Sequence, residues 1–128
     1  MKVMVLTNGE FETREITNEL RDLQEIVGGY IEIPYLSEVF SENEIDIIIN
    51  EEGKFIDSLK PEIAVVETNS GDILDIIFGN CIFASHNQEG ETTELNKEQV
   101  RIIKNKLAVS GLISLKNRGV FRVKVLYV

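Results

Sequence analysis

This sequence is poor in the side chains that carry covalent and metal chemistry. It has one cysteine, Cys81, one histidine, His86, no tryptophan and two prolines, Pro34 and Pro61, in 128 residues. A single cysteine excludes an intramolecular disulfide. Its neighbours in Asn80–Ala84 are mostly apolar, the setting of a buried thiol, which predicts a cytoplasmic protein. One Cys and one His fall short of a structural zinc set. The oxygen-bearing residues around Gly71 (Glu67, Asn69, Asp72, Asp75) lack the alternating spacing of a calcium loop and read as a solvated turn. No metal and no cofactor is expected. Neither phosphate-cradling glycine motif occurs, and no G-x-S-x-G elbow. Glu51-Glu52 are adjacent in a turn and diverge, so they make no carboxylate dyad. His86 stands where a strand runs into a polar loop with no partner in sequence, so it reads as an exposed loop histidine. An enzyme is therefore not expected. No apolar run reaches the roughly 18 residues of a membrane span, and the start, Met1–Glu10, has too short an apolar run for a secretion signal.

The rest of the composition is that of a globular chain, 43% hydrophobic and 27% charged. Its length predicts a single domain, 1–128, burying roughly two-thirds of its unfolded surface. The net charge of −9 is unevenly spread. Residues 1–96 hold 5 basic and 21 acidic side chains, and residues 97–128 hold 8 basic and 1 acidic. The first part is an acidic body and the second a basic extension of the same domain. The basic end either lies across the body and neutralises it, or both remain as interaction surfaces.

The stretch Asn18–Leu36 organises the pattern. Leu20, Leu23 and Val27, with Ile26 beside them, form one helical stripe. Asn18 is the expected cap, and Gly28-Gly29 stops the helix, since glycine takes the left-handed conformation freely. A strand over Tyr30–Leu36 follows, with Pro34 forcing it to a sheet edge or a bulge. Before this unit, Asn8-Gly9 predicts a hairpin between Met1–Leu6 and Phe11–Ile16.

After it come a polar connection over Ser37–Glu44 with a short helical turn near Phe40, then a central strand, Ile45–Asn50, antiparallel to Tyr30–Leu36. Glu51-Glu52-Gly53 is a turn in which Gly53 can take positive φ. Ile63–Val66 and Asn80–Ser85 read as strands, and Ile73–Phe78 as a helical turn or a strand start. Asn69-Ser70-Gly71 is a turn, and His86–Glu94 a polar loop with no core residue. Asn96 and Gln99 fit a capping box opening a helix with Val100, Ile103 and Leu107 inside, ended by Ser110-Gly111. Leu112–Leu115 and Val120–Val128 then make a hairpin around Lys116–Gly119. Its last strand shows Phe121, Val123, Val125 and Tyr127 on one face, with Arg122 and Lys124 on the other. The fold class is α+β: a mainly antiparallel sheet, two principal helices and a C-terminal β-hairpin.

Three segments, Leu23–Ile33 (LQEIVGGYIEI), Asn50–Phe55 (NEEGKF) and Asp75–Phe83 (DIIFGNCIF), together resemble the small phage- and plasmid-borne family known as domain of unknown function 3846. The resemblance spans about two-thirds of the chain and departs after Lys54, where a proline-rich stretch is replaced by Pro61 alone. It implies a mobile-element origin and no particular activity.

Two functions compete, with a small enzyme as a third reading that the missing nucleophile, metal set and phosphate loop disfavour. One is a non-catalytic accessory protein that binds a basic host or element-encoded protein through its acidic surface, with Asn50, Glu51, Glu52 and Lys54 as the candidate interaction loop. That loop is also readable as a plain polar turn. The other is a nucleic-acid binder whose basic helix and hairpin resemble the end of a winged helix, using Lys104, Lys106, Lys116, Arg118, Arg122 and Lys124 on phosphates. No membrane partner is expected. A homodimer is predicted if the last strand lies at an edge.

Overall fold

The Asn8-Gly9 pair makes its hairpin with both residues in the left-handed region, φ 50° and 77°. It joins β1 (Lys2–Thr7) to β2 (Glu10–Glu15) with Leu6 opposite Phe11. The computed structural model describes residues 1–128. After the hairpin come α1 (Leu20–Val27), β3 (Ile31–Glu32), α2 (Glu38–Glu42), β4 (Ile45–Asn50) and a 3-10 turn at Gly53–Phe55. The chain continues through β5 (Pro61–Val66), β6 (Ile73–Phe78), β7 (Cys81–His86), β8 (Thr92–Thr93), α3 (Lys97–Lys106), β9 (Ser110–Leu115) and β10 (Gly119–Tyr127). The class is α+β with mostly antiparallel strands and a C-terminal hairpin, β9–β10.

The strands form two sheets. One has the order β2-β1-β7-β4-β3, with β8 against β7; the other has the order β6-β5-β10-β9. Alternation along the first sheet sorts its side chains into two layers. Val3, Val5, Ile48, Ile82 and Ala84 pack under Leu23 and Val27 of α1. Met4, Leu6, Ile47, Cys81 and Phe83 point the other way, into a core shared with Ile63, Val65 and Leu126 of the second sheet, Ile103 of α3 and Leu107 at its C-cap. The first sheet is thus covered on both faces.

α1 ends where the glycines dictate. Gly28 sits at φ 84° and donates its amide to the Gln24 carbonyl. Its start differs from the sequence expectation: the cap position is Glu19, without a side-chain cap bond. Asn18 instead donates to the Thr92 carbonyl, and the Thr17 hydroxyl accepts the Glu19 amide. Leu20, one turn outside the packed stripe, is exposed.

The strand after the glycines is only two residues long, and the register explains why. Tyr30 accepts from the Glu51 amide and Ile31 lies opposite Asn50. Continued, this ladder would ask Pro34 to donate to Ile47, and proline has no amide hydrogen.

The structure departs from three further expectations and resolves one. Gly53 is buried and is not left-handed; it is needed because a Cβ there would lie 3.0 Å from the Phe78 carbonyl oxygen. Of the two forms open to Ile73–Phe78, it takes the strand. Ser110 and Gly111 belong to β9, α3 stops at Lys106, and by Val109 the chain is already bonded to β10 through the Val125 amide. The last strand is internal: β10 pairs in parallel with β5, Leu126 opposite Val65, and antiparallel with β9. β5 is buried along most of its length and requires a neighbour on each side. This places Leu126, on the same face as Arg122 and Lys124, in the core. The capping box of Asn96 and Gln99 is present in both directions.

Candidate functional site

The loop after β4 divides into structural and exposed members. Asn50 is buried, 5% exposed. Its amide donates to the Val27 carbonyl at 3.2 Å, and its oxygen accepts the Glu52 amide at 2.8 Å. It ties the end of α1 to the turn, a buried clamp within the loop that the sequence offered as an interaction surface. Lys54 forms an ion pair of 2.5 Å with Asp75 on β6. Only Glu51 and Glu52 stand free in solvent. The signal for Asn50 was available in the sequence, since it follows directly on the apolar run of β4.

The six basic candidates do not form one face of free cations. Arg118 donates to the carbonyls of Asp57 and Leu59 at 2.8 and 2.5 Å, and lies over the rings of Phe78 and Phe121. Its guanidinium pins the hairpin turn to the loop before β5. The Lys124 ammonium lies 5.7 Å from the Phe11 ring centroid, and its stem is half-buried. Lys104, Lys106, Lys116 and Arg122 remain exposed and outside any ion pair. The hairpin is built into a four-stranded sheet rather than standing free as a wing.

Two carboxylates escaped sequence reading because their partners lie far along the chain. Asp46 of β4 meets His86 at the end of β7, Oδ2 to Nδ1 at 3.0 Å. His86 is therefore a half-buried, partnered residue rather than a free loop histidine. The alternation of β4 with β7, which sets Asp46 opposite Ala84, brings them together.

Glu62 is buried on β5 and accepts the amides of Asn8 and Gly9 at 3.2 and 2.8 Å. It joins the second sheet to the first hairpin. Burial raises its pKa, against the pull of those amides and of Lys60. Burial, with the charge of Glu62 nearby, also pushes the Cys81 thiol up, so this cysteine is an inert core residue.

The Glu62 shift has a signed consequence. Above the ordinary carboxylate value of 4.5 the folded chain holds a proton that the unfolded chain has lost. Stability from this group is therefore present at low pH and falls as pH rises through that window. Glu62→Gln keeps an acceptor for the turn and removes the titration. Urea melts of both proteins across a pH series should show a shallower fall above the ordinary carboxylate range in the variant. Identical slopes would remove Glu62 from the account.

Part of the acidic surface lies along β2 and α1. Glu15, Asp22 and Glu25 line an open groove of about 460 Å³ between the end of β2 and α1, with Arg14 at its side. Arg14 is already engaged with Glu12 at 3.0 Å. Glu10, Glu12 and Glu19 lie on the same two elements or their borders and are exposed. A second groove, of about 680 Å³, is apolar: Tyr35, Val39, Leu74, Tyr127 and Val128 line it, with Glu38, Asp75 and Lys106 also in its wall. No nucleophile faces His86 in hydrogen-bond reach, and every buried side-chain nitrogen and oxygen has a partner.

Five ion pairs and the His86–Asp46 contact are present, and none joins residues 97–128 to residues 1–96. Arg101, for example, pairs with Glu98 on its own helix, which lowers the Glu98 pKa. No helix is long and apolar enough to cross a membrane.

A family model described as a domain of unknown function (DUF3846) matches residues 1–108, a span that includes α3. No curated protein and no solved structure matches the chain.

Proposed function

The chain belongs to the DUF3846 family, and from that premise we propose that it is a non-catalytic binding protein, acting by contact with a basic protein through its acidic surface. In this reading it is a cytoplasmic accessory protein of a phage or plasmid, and its partner is encoded by the host or by the element. The mobile-element part rests on the resemblance carried by VGGYIE and NEEGK. The observation that carries the binding part is the absence of ion pairs between the basic end and the acidic body. No direct ion pair spends the negative charge of residues 1–96 on residues 97–128. That charge remains to steer a partner of opposite sign, an effect that salt weakens.

A pull-down from lysate at low and at high salt tests the reading. A specific basic protein should be retained at low salt and released at high salt. Glu19→Lys with Glu25→Lys, both on exposed positions of the α1 flank, should weaken retention about tenfold by altering encounter rate. Absence of a basic partner at low salt, or indifference to the double substitution, overturns it.

A second reading keeps one structural support. Lys97, Lys104, Lys106, Lys116 and Arg122 are exposed and outside ion pairs, as phosphate contacts require. A mobility-shift titration at low salt separates the two, since only this reading predicts a shift.

A further inference from the structure

We propose that β9 is a self-association edge, through which two copies of this chain pair as antiparallel strands about a two-fold axis at Leu112.

Apart from the two-residue β8, which pairs only with β7, the two sheets have four terminal strands, β2, β3, β6 and β9. Unpaired strand edges are templates for another strand unless they are blunted by charge, proline, shortness or cover. Three of the four are blunted. β2 carries Glu10, Glu12, Arg14 and Glu15 within six residues. β3 is two residues long and is followed by Pro34. β6 is crossed by the Lys54–Asp75 ion pair, and the Gly53 backbone lies against the Phe78 carbonyl. β9, Ser-Gly-Leu-Ile-Ser-Leu, has no charge and no proline over six residues. Leu112 on it and Val120 beside it are 66% and 64% exposed.

The hydrogen-bond phase of β9 selects the partner register. The Val125 amide bonds the Val109 carbonyl, and the pairs Val123 with Gly111 and Phe121 with Ile113 follow in the same phase. Residues 109, 111, 113 and 115 therefore spend their backbone groups on β10. In the alternate phase, the amides and carbonyls of Ser110, Leu112 and Ser114 point outward.

Two such edges meet in register only if outward residues face outward residues. The symmetric solution sets Leu112 against Leu112 of the second copy and Ser110 against Ser114, with an exchange of backbone bonds at each pair. Between them, Ile113 lies over Gly111 of the second copy. Like thus meets like, the large side chain meets the absent one, and no charge faces a charge. Arg122, the nearest cation across the sheet, lies one strand in from the edge. The two Arg122 residues would be about three strand spacings, roughly 14 Å, apart, beyond the screening length of about 8 Å at physiological salt. Each copy nevertheless brings a basic segment to the contact. Pairing should therefore tighten as salt rises, opposite in sign to the binding of a basic partner.

Sedimentation velocity of the intact chain over a concentration series is the test. The wild type should move from 14.5 kDa to twice that mass, and more readily at high salt. Leu112→Lys, at an exposed position, puts two ammonium groups face to face and should raise the dimer dissociation constant at least tenfold. Leu112→Cys should cross-link to itself on oxidation, whereas Val120→Cys, off the axis, should not. Cys81 is fully buried and adds no background. A wild type that stays monomeric up to its solubility limit overturns the proposal. So does a dimer that ignores Leu112→Lys, or equal cross-linking at both positions.

Discussion

Phe83→Ala should cost about 3–5 kcal/mol and lower Tm by roughly 10–20 °C. Phe83 is fully buried on β7, between Met4 of β1 and Ile47 of β4. Its ring meets Phe11 and Phe40 edge-on at centroid distances of 6.0 and 6.3 Å. Truncation removes the transfer free energy of a ring, two aromatic contacts and the filling of a site whose walls come from several elements and cannot all collapse inward. Against a total stability of about 5–15 kcal/mol, this brings the protein close to unfolding at 37 °C. Phe55→Ala is the matched control. Phe55 is 83% exposed, and its loss should change stability by about 0.5 kcal/mol or less. Urea melts of the three proteins decide the matter. A Phe83 variant within about 1 kcal/mol of wild type would mean that the shared core is not built around this ring.

Asn50→Ala should cost about 2–4 kcal/mol, far more than any change at Glu51 or Glu52. The side chain is buried and bonds both the Val27 carbonyl and the Glu52 amide. Val27 is the last residue of α1, where helix carbonyls lack intrahelical donors. Truncation strands a buried acceptor and frees the turn. Asn50→Asp sharpens the assignment. It can still accept from Glu52 but cannot donate to Val27 when ionised, so it should be at least as damaging at neutral pH and recover as the pH falls. Glu51→Gln with Glu52→Gln should leave the melt unchanged. A neutral Asn50→Ala would return this residue to the interaction loop. The same clamp explains Gly29, where a Cβ would stand 2.9 Å from the Asn50 side-chain nitrogen. The two adjacent glycines thus have different jobs, one conformational and one steric.

Much of the architecture was legible because its signals are local. Asn8-Gly9, Gly28-Gly29, the Asn96–Gln99 box and the apolar run of β4 each act within a few residues of themselves. Pro34 announced a broken edge, although its effect was to end the strand rather than bulge it. The helix cap at Asn18 failed for an equally local reason: Thr17, one residue earlier, offered its hydroxyl to the same turn. The functional reading was less legible. Loop residues were chosen for polarity, yet Asn50 and Arg118 spend their polar groups on backbone carbonyls of distant segments. Asp46 and Glu62 went unnoticed because the partners of each are about 40 or more residues away.

Sequence alone determined the α+β class, the principal turns and helix ends, the family and the division into an acidic body and a basic end. These follow from backbone conformational preference and side-chain periodicity, which need no knowledge of the rest of the chain. The tertiary structure decided that there are two sheets, that the last strand runs parallel to β5 and leaves β9 as the open edge, and that the basic end makes no ion pair with the acidic body. Those outcomes depend on which buried strands must find neighbours on both sides. That is a competition among segments far apart in sequence, and no local pattern records its result.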